Sequence, residues 1–149
     1  MRLYAFSSAS LTNIWAGVGA QLWAVPQSAS RSSNAGRSTK AAKMLPGSVG
    51  LLYSSADKCF TSPFIVHSVA DPKAVIEHVW PGKWILPFGI RTIGNPHVRL
   101  SWSDAAKVLP SCIDGIKLNR LIHVEPLTVF SASEISEADW ALLISKLAI

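Results

Sequence analysis

The apolar stretches of this chain are short, and each is stopped by proline, glycine or serine within a few residues. Even the longest, Ile14 to Val25, is interrupted by Gly17, Gly19 and Gln21. A bilayer-spanning helix needs roughly 18 or more uninterrupted apolar residues, so no membrane segment is expected. Pro26, Pro46-Gly47, Asp71-Pro72 and Pro81-Gly82 mark the turns, because proline cannot donate to a strand ladder and glycine frees the backbone. Between them lie short strands alternating with short helices, without the regular spacing of βαβ units. This pattern predicts an α+β fold, a small mixed β-barrel or curled sheet flanked by short helices. Domains average about 100–150 residues, so residues 1–149 are expected to form a single one.

Strands are expected at Arg2–Ser7, Leu22–Val25, Val49–Ser54, Phe60–Ser68, Trp84–Thr92 and Asn119–Val124. Pro87 implies an edge or a bulge in the fifth of these. Helical stretches are expected at Asn13–Ala20, Thr39–Leu45, Asp71–His78 and Asp104–Leu109, the last capped by Ser103. Gly17 and Gly19 weaken the first helix. Residues 27–38, rich in serine and carrying Arg31 and Arg37, cannot build a core and are expected to form a mobile basic loop. The C-terminal helix is the clearest element. Ser136 and Asp139 form a capping pair, and Trp140, Leu143, Ile144 and Leu147 follow on one face, to be packed on the sheet.

Charge is distributed unevenly. The 14 Lys and Arg against 9 Asp and Glu give a net +5. Residues 1–56 hold five bases (Arg2, Arg31, Arg37, Lys40, Lys43) and no acid. The last 29 residues hold Glu125, Glu134, Glu137 and Asp139 against Lys146. A positive face on a small domain favours a polyanionic partner such as nucleic acid. Cys59 and Cys112 show no CxxC pattern and are expected as buried or idle thiols. Arg2 is the only charge near the N-terminus, and no sustained apolar run of an export signal follows it. A cytoplasmic chain is expected, or a nuclear one in a eukaryote, rather than a secreted one.

No catalytic constellation is visible. His67, His78, His97 and His123 are dispersed, without metal-ligand spacing. There is no nucleophile elbow and no phosphate-cradling loop. Glu134 and Glu137 are expected on the first turn of the last helix, complementing its dipole. The expectation is a binding module rather than an enzyme, with no metal and no cofactor.

Tryptophan is the unusual resource: Trp15, Trp23, Trp80, Trp84, Trp102 and Trp140. Trp84 and Trp140 read as core. Trp23 and Trp80 stand at strand–loop junctions near Pro26 and Pro81, where an indole can leave the sheet and stack on a flat ligand. The alternative is a protein-interaction or small-ligand domain with every tryptophan in the core.

The stretch Tyr4-Ala-Phe-Ser-Ser8, then Asn13, then Leu22-Trp-Ala-Val-Pro26 resembles the opening of the YTH and EVE domains of the PUA-like superfamily. In the YTH pattern a strand ends at a serine, an asparagine follows, and a tryptophan stands ten positions further on; Asn13 and Trp23 keep that spacing. Lys43 to Ser54 resembles the family's step from a basic residue through Pro-Gly into an apolar strand. Trp80 to Arg91 resembles its aromatic-flanked run into a long strand. Ser7 stands where the YTH pattern has a basic residue, and Ser48 where it has an acid, which shifts the resemblance towards the broader EVE-like group.

The resemblance implies a PUA-like barrel with an aromatic cage for one modified, methylated base flipped from DNA or RNA. Trp23 and Trp80 would be cage walls, Asn13 would bond the base edge, and Ser8 would line the pocket. Leu86, Pro87 or Trp84 would supply the third wall. Arg31, Arg37, Lys40 and Lys43 would contact phosphates. In bacteria the resemblance implies the recognition part of a modification-dependent restriction system, working with a catalytic partner protein. In eukaryotes it implies an RNA reader of N6-methyladenine.

Overall fold

The computed structural model describes all 149 residues. β1 (Arg2–Ser8) leads through α1 (Leu11–Ala20) to β2 (Leu22–Pro26), followed by α2 (Arg31–Ala41). The hairpin β3 (Val49–Ser54) and β4 (Cys59–Val66) precedes a two-residue β5 (Val75–Ile76) and the long β6 (Trp84–Thr92). After β7 (Arg99–Ser101) come α3 (Trp102–Val108), α4 (Pro110–Ile113) and α5 (Leu118–Leu121). A 3-10 turn (Pro126–Thr128), β8 (Ser133–Glu134) and α6 (Glu137–Leu147) complete the chain. The strands form one curled sheet ordered β2-β6-β4-β3-β1-β8, with β5 beside β6 and β7 beside β4. Its one parallel pair is β1 with β3. This is the mixed α+β sheet that the punctuated sequence predicts.

Strand alternation divides the interior in two. Tyr4 and Phe6 of β1 face one core, with Trp23, Phe64 and Phe88, while Leu3 and Ala5 face the other, with Leu51, Leu109 and Leu143. Phe6 is the hub of the first core. Its ring centroid lies 5.3 Å from Phe88 and 5.2 Å from Phe130, separations at which aromatic pairs gain about 0.5–1.5 kcal/mol beyond area burial. The helices after β7 and the two leucines of α6, Leu143 and Leu147, close the second core. Ser136 caps α6 with the expected capping box to Asp139, and Trp140 packs half-buried against that core.

Pro87 does sit at a bulge. The β2–β6 register steps from Trp23↔Phe88 to Val25↔Ile85, so Leu86 and Pro87 together oppose Ala24. Leu86 takes a left-handed φ of 56° there. Pro87 turns its carbonyl to the Asp71 amide at 2.9 Å.

Several expectations are corrected. Residues 27–38 are not a loop throughout: α2 occupies Arg31–Ala41. Local hydrogen bonds, rather than burial, order it. Ser30 Oγ caps the Ser33 amide at 3.2 Å, and the Asn34 side chain both accepts from Ser28 N and donates to Ser28 O. Residues 71–78 are not a helix, because Asp71 Oδ1 accepts from the Lys73 amide at 2.9 Å and closes a turn, after which β5 joins the sheet edge. Asn119–Val124 is not a strand; Leu118 and Leu121, three residues apart, both enter the second core, and that spacing makes α5. Helix α3 is capped by Ser101 rather than Ser103. Glu134 lies in β8, not on the last helix, and its carboxylate is 3.4 Å from Arg2 on the exposed edge, a pairing of little energetic weight. No helix is long and apolar enough to cross a membrane.

Candidate functional site

The parallel pair sets the site. In register, Ser8 at the end of β1 lies beside Ser54 at the end of β3. The following Ser55 donates to the Ser8 carbonyl from its amide at 2.8 Å and its hydroxyl at 3.1 Å. Where these strand ends meet the end of β2, a cavity of about 300 Å³ opens. Phe6, Trp23, Val25, Pro26 and Val129 give it apolar walls; Ser7, Ser8, Ser55, Arg37 and Glu125 give it polar ones. Its size and mixed lining fall at the lower end of the range of small-molecule sites.

Ser8 is 6% exposed, and its hydroxyl is the one buried side-chain polar atom without a hydrogen-bond partner. Leaving such a group unpaired costs about 1–3 kcal/mol. That hydroxyl lies in the cavity wall. Arg37 is held across the mouth by its guanidinium donating to the Pro26 carbonyl at 2.8 Å. Helix α2 thus brings a cation to a cavity whose one other charged lining residue is the exposed Glu125.

Trp23 is fixed from behind. It is 1% exposed, and Trp80, 2% exposed, meets it edge-to-face with ring centroids 5.4 Å apart and planes at 74°. The Trp80 indole N–H donates to the Asn13 carbonyl at 2.8 Å, and Trp84 packs on Trp80 at 4.7 Å. Trp23 and Trp80 therefore touch and do not face each other across a base-wide gap, which corrects the expected two-walled cage. Asn13 acts through its backbone on Trp80 and does not line the cavity. Leu86 lies at the bulge, buried in the first core.

The bases are spread out. Arg37 and Lys40, three apart on α2, share a face, with Arg31 about a third of a turn from Arg37 and about half a turn from Lys40 around the axis. Lys43 lies beside Arg2 and Tyr4 at the start of β1, roughly 20 Å along that strand from Ser8 at about 3.3 Å per residue. Sequence reasoning missed Val124–Pro126 and Val129, which fold over the cavity from far along the chain. The doubled serines that end β1 and β3 were the only local signal for Ser55.

Gly17 explains how α1 approaches Trp23. A Cβ there would stand 2.7 Å from Trp23 Cε3 and 2.9 Å from the Leu22 carbonyl. In an open helix Gly→Ala stabilises by about 1 kcal/mol, and Gly19, with nothing within 4 Å, should show that gain. Gly17→Ala should instead cost about 1–3 kcal/mol through overpacking and should shift the indole emission of Trp23. Urea unfolding of the two variants followed by fluorescence checks the opposite signs.

No protein-family model matches the sequence, and no curated protein matches it either. Solved structures do. The YTH domain of the Zygosaccharomyces rouxii MRB1 protein, in complex with N6-methyladenosine RNA, is 14% identical with a TM-score of 0.60, covering 95% of this chain and 84% of that one. The Toxoplasma CPSF4 YTH domain with a 7 mer m6A-modified RNA is 13% identical with a TM-score of 0.60, covering 97% and 89%. A structural-genomics protein from Agrobacterium tumefaciens is 14% identical with a TM-score of 0.51, covering 99% and 95%. At such identities the likeness is one of architecture, and across nearly its whole length this chain has the YTH-like fold.

Proposed function

We propose that the protein is a nucleic-acid-binding module that takes one modified base, flipped out of its strand, into the cavity at the ends of β1 and β3. The observation that carries the reading is the buried, unpartnered Ser8 hydroxyl in the wall of a largely apolar cavity rimmed by Arg37. A methylated base offers ring edges that need one or two polar contacts and an apolar bed for the methyl group. Trp23 is the aromatic wall, Ser8 the polar contact and Arg37 the cation that stacks on the base or holds its phosphate. Trp80, anchored to the Asn13 carbonyl, acts behind Trp23 and keeps its ring in place, while Leu86 belongs to the β6 bulge opposite Ala24. Arg31 and Lys40 are the outlying phosphate contacts, with Lys43 on a more distant part of the surface.

N6-methyladenine in single-stranded RNA is the first ligand to test, because solved structures of the same fold hold N6-methyladenosine RNA. The module has no chemistry of its own in this reading, and a catalytic partner, such as a restriction nuclease, would supply any cleavage.

Calorimetric titration with ribo- and deoxyribo-oligonucleotides carrying adenine, N6-methyladenine, cytosine or 5-methylcytosine tests it. A preference for one modified base is expected. Arg37→Ala should weaken binding about tenfold or more, the loss of one charged hydrogen bond. Ser8→Ala should weaken it severalfold, by about 0.5–1.5 kcal/mol, while leaving stability unchanged or improved, since the hydroxyl it removes is unpaired. Equal binding of modified and unmodified strands in every arm overturns the reading.

A further inference from the structure

A second cavity of about 440 Å³ adjoins the first and shares with it Ser7, Ser55 and the Val124–Pro126 segment. The two are compartments of one groove with that segment as the partition. The second compartment has a different chemistry. Its far wall is Trp102 and Tyr53, and Lys58 and Asn119 stand at its rim.

Trp102 is held rigidly. Its ring stacks on Phe60 with centroids 5.6 Å apart and planes at 22°, and meets Tyr53 edge-on at 5.5 Å. The Trp102 amide donates to the Lys58 carbonyl at 2.8 Å, tying the α3 start to the β3–β4 turn. Half-buried, the same indole also borders a third cavity, of about 570 Å³, which begins at Asn119 and carries Lys117. An aromatic platform fixed from behind, open at its sides and flanked by two lysines is the arrangement that binds single-stranded nucleic acid. Glu125, on the partition, is the one acid lining the first two compartments; it would repel a phosphate there and favours passage of a base edge over that point.

We infer that the Trp102 compartment is a second nucleotide subsite. The nucleotide next to the flipped base crosses the Val124–Pro126 partition and stacks on Trp102; its phosphate meets Lys58, and the strand leaves towards Lys117. The inference rests on the base-reader reading of the first cavity and adds that the ligand is a single strand of at least two nucleotides, stacked on one side of the modified base.

The experiment compares a modified mononucleoside with a modified pentanucleotide, on wild type, Trp102→Ala, Trp102→Phe and Lys58→Ala. Trp102→Ala should bind the mononucleoside as wild type does, and should lose about tenfold affinity for the pentanucleotide, the worth of one stacked base. Trp102→Phe should recover most of that loss. Lys58 is exposed; its alanine variant should lower the salt dependence of pentanucleotide binding by about one phosphate contact. An abasic site on one flank of the modified base should mimic Trp102→Ala and add nothing to it. Mononucleoside binding reports that each variant is folded. Undiminished pentanucleotide affinity in both Trp102→Ala and Lys58→Ala, with mononucleoside binding intact, overturns the subsite alone. Wild type that binds neither ligand overturns the base-reader reading and the subsite with it.

Discussion

Trp23→Ala should lower stability by about 3–5 kcal/mol, the usual range for emptying a buried aromatic site. Trp23 is 1% exposed, wedged between Gly17 of α1 and the ring of Trp80. Neither neighbour can follow the departing ring. Gly17 is backbone, and Trp80 is anchored by its bond to the Asn13 carbonyl and its packing on Trp84. The space therefore stays largely open, and cost rises with residual cavity volume. For a domain of this size, the loss corresponds to a drop of roughly 10–15 °C in Tm. A stability of about 5–15 kcal/mol leaves the variant folded at low temperature. There, affinity for a strand with the preferred modified base should be lost with the wall of its cavity. Trp23→Phe separates the two effects, refilling much of the volume while offering a smaller stacking face. Thermal unfolding with titration at 10 °C checks both. A destabilisation below about 1 kcal/mol would refute the wedged geometry, and a folded Trp23→Ala that binds as wild type would remove Trp23 from the site.

The sequence made β1, β2, β3, β4, β6 and the last helix legible because each carries its own signal. β-Strand alternation and proline or glycine stops delimit the strands, and the Ser136–Asp139 pair starts α6. What was not legible depended on partners distant in sequence. The segment with Arg31 and Arg37 has no apolar face, so periodicity could not reveal α2; its order comes from the Ser30 cap and the clasp between Ser28 and Asn34. The stretch Leu118–Leu121 carries too few residues to distinguish a single helical turn from a strand, and only the second core decides it.

The site shows the same division. Ser8, Trp23 and Arg37 were among the residues that the sequence put forward, and all three border the cavity. Asn13 was put forward by its ten-residue spacing from Trp23, and Trp80 by its place at a strand–loop junction beside Pro81; neither signal says which face of a ring is free. In the fold Trp23 and Trp80 are both buried and pack edge-to-face on each other, and the more exposed indole beside the adjoining cavity is Trp102. Nothing local marks Trp102 out, because its packing on Phe60 and Tyr53 arises only in the fold.

Asp139→Asn should cost about 2–4 kcal/mol at neutral pH and flatten the acid limb of the stability curve. Asp139 is fully buried without a cationic partner among its bonded neighbours; only hydrogen bonds hold its charge. Its Oδ1 accepts from the Ser111 amide at 2.9 Å, and its Oδ2 from the Ser111 hydroxyl at 2.5 Å and the Ser136 amide at 2.9 Å. One carboxylate thus closes the α6 capping box and ties α4 to α6. Burial alone would push the carboxyl pKa up, but the bonds from Ser111 and Ser136 outweigh it and hold the pKa below the ordinary aspartate value. The unfolded chain, with its aspartate near about 3.9, takes up the proton first on acidification. The contribution of Asp139 is therefore fully present above that pH and is lost as pH falls through the lower, folded-state value. An asparagine keeps the shape, but it has no charge to strengthen the bonds, and its amide nitrogen must oppose a donor from Ser111 or Ser136. Urea midpoints of wild type and variant at pH 7, 4 and 2.5 should converge as pH falls, because acid removes from wild type what the substitution has already removed. Midpoints that stay parallel across that range would show that the Asp139 carboxyl titrates alike in the folded and unfolded chain, and that α4 and α6 are joined by something other than its charge.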